Sequence, residues 1–324
     1  MPQDVRPTRL IALINQKGGV GKTTTTVNLA AAIAERGRRV LLIDLDPQAH
    51  ATLHLGIDPA GEGRRTVYDL FVDEGPDASV DVQSTIVEAR PNLDLIPSVV
   101  DLAAAEVELA DVEDRNRILA RRLAGILPRY EFVLLDCPPS LGVLTLNALS
   151  IAREVIVPLQ AHFLALQGVG KLLETVGLVA RSVNPSLRVT GVVLCMHEPN
   201  ISHQKEVVAD LDAFFEAARG TAVPWNTCRV LRPAIRRNIK LAEAPSFGKT
   251  IFDYEPWCPG ALDYRALAER LVAEWDAMLA RRETAANAEP KTARPKAATA
   301  KPTRTVATAV EATSTADGSG GAAG

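Results

Sequence analysis

The sequence predicts a doubly wound α/β fold, a mainly parallel sheet with helices on both faces, on three observations. Short apolar runs of strand length recur at Leu10–Ile14, Val40–Ile43, Leu93–Ile96, Phe132–Leu135, Val155–Val157 and Val189–Leu194. Helical patterns lie between and after them, at Thr23–Arg36 closed by Gly37, Arg115–Ile126, Leu166–Val183, Val207–Ala218 and Ala261–Met278. Strands that alternate with helices in this way form a parallel sheet covered on both faces. The third observation is the glycine-rich turn Lys17-Gly18-Gly19-Val20-Gly21-Lys22-Thr23-Thr24, which joins the first strand to the first helix.

Strand, glycine-rich turn and helix stand in the order that a phosphate cradle needs. Glycines at 18, 19 and 21 let backbone N–H groups turn inward around phosphate oxygens, and the helix N-terminus adds its positive dipole. Lys22 is expected to neutralise β- and γ-phosphate charge, and Thr23 to place its hydroxyl on Mg²⁺. Residues 17 to 24 are thus expected to hold the phosphates of ATP. The strict G-x-x-x-x-G-K-[ST] template asks for glycine at position 16, where this chain has Gln16. An ordinary strand-to-helix loop would have to produce the glycines, Lys22, Thr23 and both flanking elements together.

The second and fourth strands each run into a carboxylate. Val40–Ile43 leads to Asp44-Leu45-Asp46-Pro47-Gln48, and Phe132–Leu135 leads to Asp136-Cys137-Pro138-Pro139-Ser140. An aspartate after a strand is often only a helix cap or a turn former. A hydrophobic strand ending in aspartate is also the form of a Walker B element, and these ends lie on the sheet edge where open α/β folds bind ligands. Asp136 fits that role.

Composition narrows the function classes. The 324 residues are 47% hydrophobic, enough for one large α/β domain or two smaller ones. A net charge of -3 gives no global basic signature, so contact with nucleic acid would need a local patch. Cys137, Cys195, Cys228 and Cys258 lack C-x-x-C spacing and read as reduced thiols of a cytoplasmic protein. The sequence has no apolar run of membrane-spanning length, and Met1 to Arg9 lack the apolar core of a signal peptide. We expect an ATPase domain over residues 1–280 and a disordered tail over 281–324, where Ala, Thr, Pro, Lys and Gly dominate. Lys291, Arg294, Lys296, Lys301 and Arg304 make the first half of that tail basic, which suits either weak DNA affinity or simple solubilisation.

Taken together, Asn15-Gln16-Lys17-Gly18-Gly19-Val20-Gly21-Lys22-Thr23-Thr24, Asp44-x-Asp46-Pro47-Gln48 and Asp136-x-Pro138-Pro139-Ser140 resemble the ParA/Soj family of partition ATPases, P-loop NTPases with a deviant Walker A motif. The resemblance continues through Thr66-Val67-Tyr68-Asp69-Leu70, Leu146-Asn147-Ala148-Leu149, Val157-Pro158-Leu159-Gln160 and Asn238-Ile239-Lys240-Leu241-Ala242-Glu243-Ala244-Pro245-Ser246-x-Gly248-Lys249. It spans roughly residues 8 to 278. It implies an ATP- and Mg²⁺-dependent homodimer in which a signature lysine, here Lys17, reaches the partner's phosphates. Such a cation acts as an arginine finger does, stabilising transferring charge only when the pair is assembled. By the same resemblance Asp46 positions the attacking water, Asp44 supports the Mg²⁺ shell and Asp136 is the Walker B residue.

The resemblance further implies a cytoplasmic, nucleoid-associated protein that binds DNA non-specifically in its ATP state and is stimulated by a ParB-like partner. Arg229, Arg232, Arg236, Arg237 and Lys240 form the candidate phosphate-contacting cluster, with Arg236, Arg237 and Lys240 as the DNA-binding expectation. Two departures bear on it. Asn200, in Glu198-Pro199-Asn200-Ile201, stands where many relatives carry an arginine, and Arg236 precedes Arg237-Asn238 where relatives carry proline. The added arginine either compensates for the missing one or serves a surface that meets something other than DNA. A MinD-like membrane-positioning ATPase shares the loop, but it would need an amphipathic C-terminal helix, and the Ala/Thr/Pro-rich tail lacks one, so no membrane contact is expected. Other deviant-loop branches, an iron–sulfur carrier, an amidoligase or a tyrosine kinase, are disfavoured in part by the missing C-x-x-C and the missing tyrosine cluster.

Overall fold

The computed structural model describes residues 7–73, 80–162 and 165–288. The chain divides into two units, Met1–Leu279 and Ala280–Gly324. The sheet and the site belong to the first.

Among the described residues the sheet has eight strands: β1 Arg9–Leu13, β2 Val40–Asp44, β3 Val87–Arg90, β4 Leu93–Ile96, β5 Phe132–Asp136, β6 Glu154–Leu159, β7 Arg188–Leu194 and β8 Arg229–Leu231. Their spatial order is β3-β4-β2-β5-β1-β6-β7-β8, parallel throughout except for β3, which runs antiparallel on β4 at one edge. The expected doubly wound, mainly parallel sheet is therefore present. β1 lies near the middle, with β5 and β2 on one side and β6 and β7 on the other. Strand order reverses beside β1, which opens a crevice at the carboxyl ends of the strands where such folds bind ligands.

The period of two along each strand splits the core into two layers. Ile11, Leu13, Leu42, Phe132 and Leu134 face a layer built with helix α1 (Lys22–Glu35) and with the long helix Pro259–Ala288. Ala12, Ile14, Leu41, Ile43, Val133 and Leu135 face a layer built with helices Val143–Ile151 and Ala165–Ser182. All residues of β2 and β5 are buried, as central strands covered on both sides must be.

Several bounds differ from the sequence expectation. Arg115–Ile126 is a 3₁₀ turn at Arg115–Arg117 and an α-helix only over Ile118–Leu123, entered through Asp114 in the left-handed region at φ 55°. The helix expected at Val207 begins at Ser202, and the last helix runs past Met278 to Ala288. Of the expected tail, residues 289–324 lie outside the described residues. Among the described residues, no helix is long and apolar enough to cross a membrane.

Candidate nucleotide-binding site

The turn between β1 and α1 needs its glycines for different reasons. Gly19 and Gly21 take φ of 73° and 88°, the left-handed region that costs glycine least. A Cβ on Gly21 would also come within 3.3 Å of the Cys195 Cβ. Gly21 caps α1 without a side-chain hydrogen bond, so the first-turn N–H groups are left for a ligand. Val20 is buried and anchors the loop, while Lys17, Gly18 and Gly19 are exposed at its rim.

Register brings the carboxylates to the same place. Asp44 ends β2 and Asp136 ends β5, and they are direct parallel neighbours; Leu13, at the end of β1, pairs with Asp136 on its other side. The Lys22 Nζ stands 3.7 Å from Asp136 Oδ1 and 3.8 Å from Asp46 Oδ2. Asp136 also accepts hydrogen bonds of 2.7 Å from the Thr23 and Thr26 hydroxyls. Asp44 accepts from the Thr52 N–H (2.9 Å), the Thr52 hydroxyl (2.8 Å) and the Asp46 N–H (3.1 Å). Asp46 in turn accepts from the Gln48 N–H at 3.0 Å and, through its carbonyl, from the Ser98 hydroxyl at 2.8 Å.

Electrostatics follow from this crowding. Burial works against the Lys22 ammonium, but Asp136, Asp46 and Asp44 outweigh it and hold its pKa above the ordinary value. Asp44 is pushed well up, by burial first and then by the neighbouring Asp136, against the hydrogen bonds from Thr52 and Asp46. The cluster therefore carries more carboxylate charge than Lys22 balances. The Thr23 hydroxyl and the carboxylate oxygens are hard donors, so this excess charge and donor set fit a magnesium ion.

Two cavities meet at the loop. One of ≈ 380 Å³ is lined by Lys17, the glycines, Lys22, Thr23 and Asp46. The other, of ≈ 260 Å³ and largely apolar, shares Gly21 and Thr24 with it and is lined by Cys195, Met196, Ile239, Leu241 and Tyr264. A charged compartment joined to an apolar one suits a phosphate chain bearing a base.

The basic cluster is spread over several carboxylates. Arg236 is forked onto Asp263, with contacts of 2.8, 2.9 and 3.1 Å, and its own N–H also reaches Asp263. Arg237, 73% exposed, meets Glu198 at 3.2 Å; Lys240 meets Glu243 at 2.8 Å. Arg229 pairs with Glu274 and Arg232 with Asp212.

Comparison with known proteins resolves the family. A family model described as an AAA domain matches residues 8–189. The sporulation initiation inhibitor protein Soj of Bacillus subtilis is 41% identical over 265 residues, covering 82% of this chain and 98% of Soj. The chromosome partitioning protein ParA of Caulobacter vibrioides is 41% identical over 268 residues, covering 82% and 94%. The chain belongs to the ParA/Soj family of partition ATPases. Among solved structures, a cobyrinic acid a,c-diamide synthase from Mycobacterium smegmatis with bound ADP and magnesium aligns at TM-score 0.68 and 36% identity, covering 83% of this chain and 96% of that one. The cell division ATPase MinD of Pyrococcus furiosus aligns at TM-score 0.64 and 25% identity, covering 82% and 99%.

In this ParA/Soj chain the expected site residues Gly18 to Thr24, Asp44, Asp46 and Asp136 converge on the switch point. Lys17 lies at the rim of the same cavity. Several family segments outside the loop are structural supports. The Asp69 carboxylate accepts the Thr66 N–H at 2.8 Å at the start of helix Val67–Val72, and the Asn147 side chain accepts the Leu119 N–H and donates to the Arg115 carbonyl. Asn238 caps the helix Ile239–Glu243 by accepting the Lys240 N–H. Sequence reasoning missed Thr52, in helix His50–His54, which fixes Asp44, and Ser98, just after β4, which fixes Asp46. It also missed Tyr264, whose hydroxyl meets Thr25 at 3.0 Å beneath the loop. A buried hydroxyl within a helix or after a strand is visible in sequence only as an ordinary Ser, Thr or Tyr.

Proposed function

We propose that this chain is an ATP-hydrolysing, ATP-dependent dimer switch that binds DNA without sequence preference, segregates or positions a cargo, and is turned over by a ParB-like partner. The observation that carries the reading is the division of labour between its two loop lysines. Lys22 is buried among Asp44, Asp46 and Asp136, as a lysine that neutralises phosphate charge within its own protomer should be. Lys17 is exposed at the rim of the same cavity, which supports delivery to a second copy.

In this reading Asp46 orients the attacking water, and Ser98 and Gln48 fix its backbone and carboxylate. Thr23 and Asp136 would hold Mg²⁺ with Asp44 behind them, and the ion would neutralise phosphate charge. The apolar cavity beyond Thr24 takes the base. Exposed ion pairs contribute about 0–1 kcal/mol, so DNA phosphates can replace Glu198 on Arg237 and Glu243 on Lys240 at small cost. The fork between Arg236 and Asp263 gives Arg236 a supporting role at the base cavity. Membrane positioning is the alternative outcome, since MinD shares the fold.

The test measures binding to random-sequence DNA and to anionic liposomes with ATP, ADP or no nucleotide, at several salt concentrations. DNA binding that needs ATP and falls steeply with salt is expected. ATP-dependent liposome binding with no DNA binding at low salt would overturn the proposal. Lys17→Ala is expected to abolish partner-stimulated turnover.

A further inference from the structure

The end of β6 and the residues just after it contact the phosphate-loop segment at three alternate positions, Pro158, Gln160 and His162. The Pro158 carbonyl accepts the Asn15 side-chain N–H at 2.7 Å, and the Asn15 Oδ1 accepts the Lys17 N–H at 2.9 Å. Gln160 donates to the Gly19 carbonyl at 3.2 Å. His162 Nε2 lies 2.8 Å from the Lys17 Nζ. An ammonium only donates, so the contact requires His162 to be neutral with its ring proton on Nδ1. We propose that His162 is a positioning residue that parks the Lys17 ammonium inside its own protomer, and that this contact competes with delivery of Lys17 to a second copy of the chain.

The inference rests on the dimer reading of Lys17. Its geometry is local: the backbone of Lys17 is fixed by Asn15, and its side chain extends toward the β6 side of the loop, where Asn15, Lys17 and His162 line one small cavity with Leu159 and Val169. Among the described residues, the charged or titratable groups that act on His162 include Lys17 on the loop and His203 at the start of helix Ser202–Ala218, and Glu206 stands 4.0 Å from His203. Burial first, then Lys17 and His203, lower the pKa of His162. The imidazole is thus an acceptor at neutral pH. Protonation turns it into a donor and removes the parking site, so acid should favour release of Lys17.

Two measurements test this on the full chain. The first is the NMR titration midpoint of His162 without nucleotide, in the parent and in Lys17→Ala. Removing a cation 2.8 Å away in water-like surroundings is expected to raise the midpoint by up to about one pH unit. An unchanged midpoint would overturn the contact. The second is self-association with Mg²⁺ and a non-hydrolysable ATP analogue, by sedimentation at pH 7.5. An exposed contact of this kind is worth up to about 5-fold per protomer, hence up to about 25-fold in the association constant of a symmetric dimer. His162→Ala should tighten association in that direction, His162→Gln, which keeps an acceptor, should do so less, and neither should act in the Lys17→Ala background. His162→Ala that leaves association unchanged or weakens it would overturn the competition. A Lys17→Ala chain that dimerises and hydrolyses ATP as the parent does would instead remove the dimer reading, while the midpoint shift would survive it.

Discussion

His54 closes the short helix His50–His54 that follows the Asp44–Asp46 strand end, and only 2% of it is exposed. Burial disfavours the imidazolium, a hydrogen bond with the Lys249 backbone opposes this, and the net effect lowers the pKa from 6.5 to about 4. The unfolded chain therefore takes up the proton before the folded one does. Stability is complete above about pH 6.5 and is lost as pH falls through that value toward 4, levelling off below the folded pKa. A gap of about 2.5 pH units corresponds to about 3 kcal/mol in total, of which about 1.3 kcal/mol is lost between pH 7.5 and 5.5. Urea unfolding of the parent and of His54→Leu at those two pH values isolates this contribution. The variant's own packing change is common to both pH values, and the other titrating groups are common to both chains. The parent should lose about 1.3 kcal/mol more than the variant over that interval. Equal losses would refute the assignment of a neutral, buried His54.

Other substitutions probe the site and its supports. Gly56 has φ 73°, and a Cβ there would sit 2.8 Å from the Gly248 carbonyl oxygen, so Gly56→Ala should destabilise the chain by about 1–3 kcal/mol in the same urea assay. Asp46→Asn keeps the shape of the site but removes the charge beside Lys22; ATP binding measured by fluorescence titration should persist while turnover falls by about 10²-fold or more. Arg237→Ala should reduce the salt slope of DNA binding by about one, whereas Arg236→Ala should leave that slope alone and lower the melting temperature, because Asp263 loses its partner.

The parallel sheet was legible because its central strands are short apolar runs that turn and helix signals interrupt. β3 was not, since Val87-Glu88-Ala89-Arg90 is an edge strand, half polar, and its pairing with β4 shifts register between Glu88 and Arg90. β8 has only Arg229 to Leu231 and exists through its ladder with β7. The break in Arg115–Ile126 falls at Arg117, whose backbone leaves the helical region at φ -125° and ψ 15°, which an apolar helical pattern does not reveal. The phosphate loop and its carboxylates could be read because their spacing along the chain encodes a strand-to-helix turn and two strand ends. Thr52, Ser98 and Tyr264 could not, because what makes them matter is a hydrogen bond to a residue distant in sequence.

The basic cluster shows why residue type underdetermines function. Arg236, Arg237 and Lys240 read alike as surface cations, yet the structure gives them different freedoms. A guanidinium forked onto an aspartate only 6% exposed is held by several charge-assisted hydrogen bonds, and moving it would strand Asp263. Arg237, with an exposed carboxylate opposite, exchanges partners at little cost. The two loop lysines divide in the same way. Lys22 is fixed by the excess of carboxylate charge around it, and a ligand that brings its own charge must rearrange that balance. Among the described residues the Lys17 ammonium meets His162 in an exposed contact, so weak competition is enough to redirect its side chain. Such a difference between two lysines of one loop is what the proposed dimer switch would require: one cation that stays with its own phosphates and one that can be drawn away.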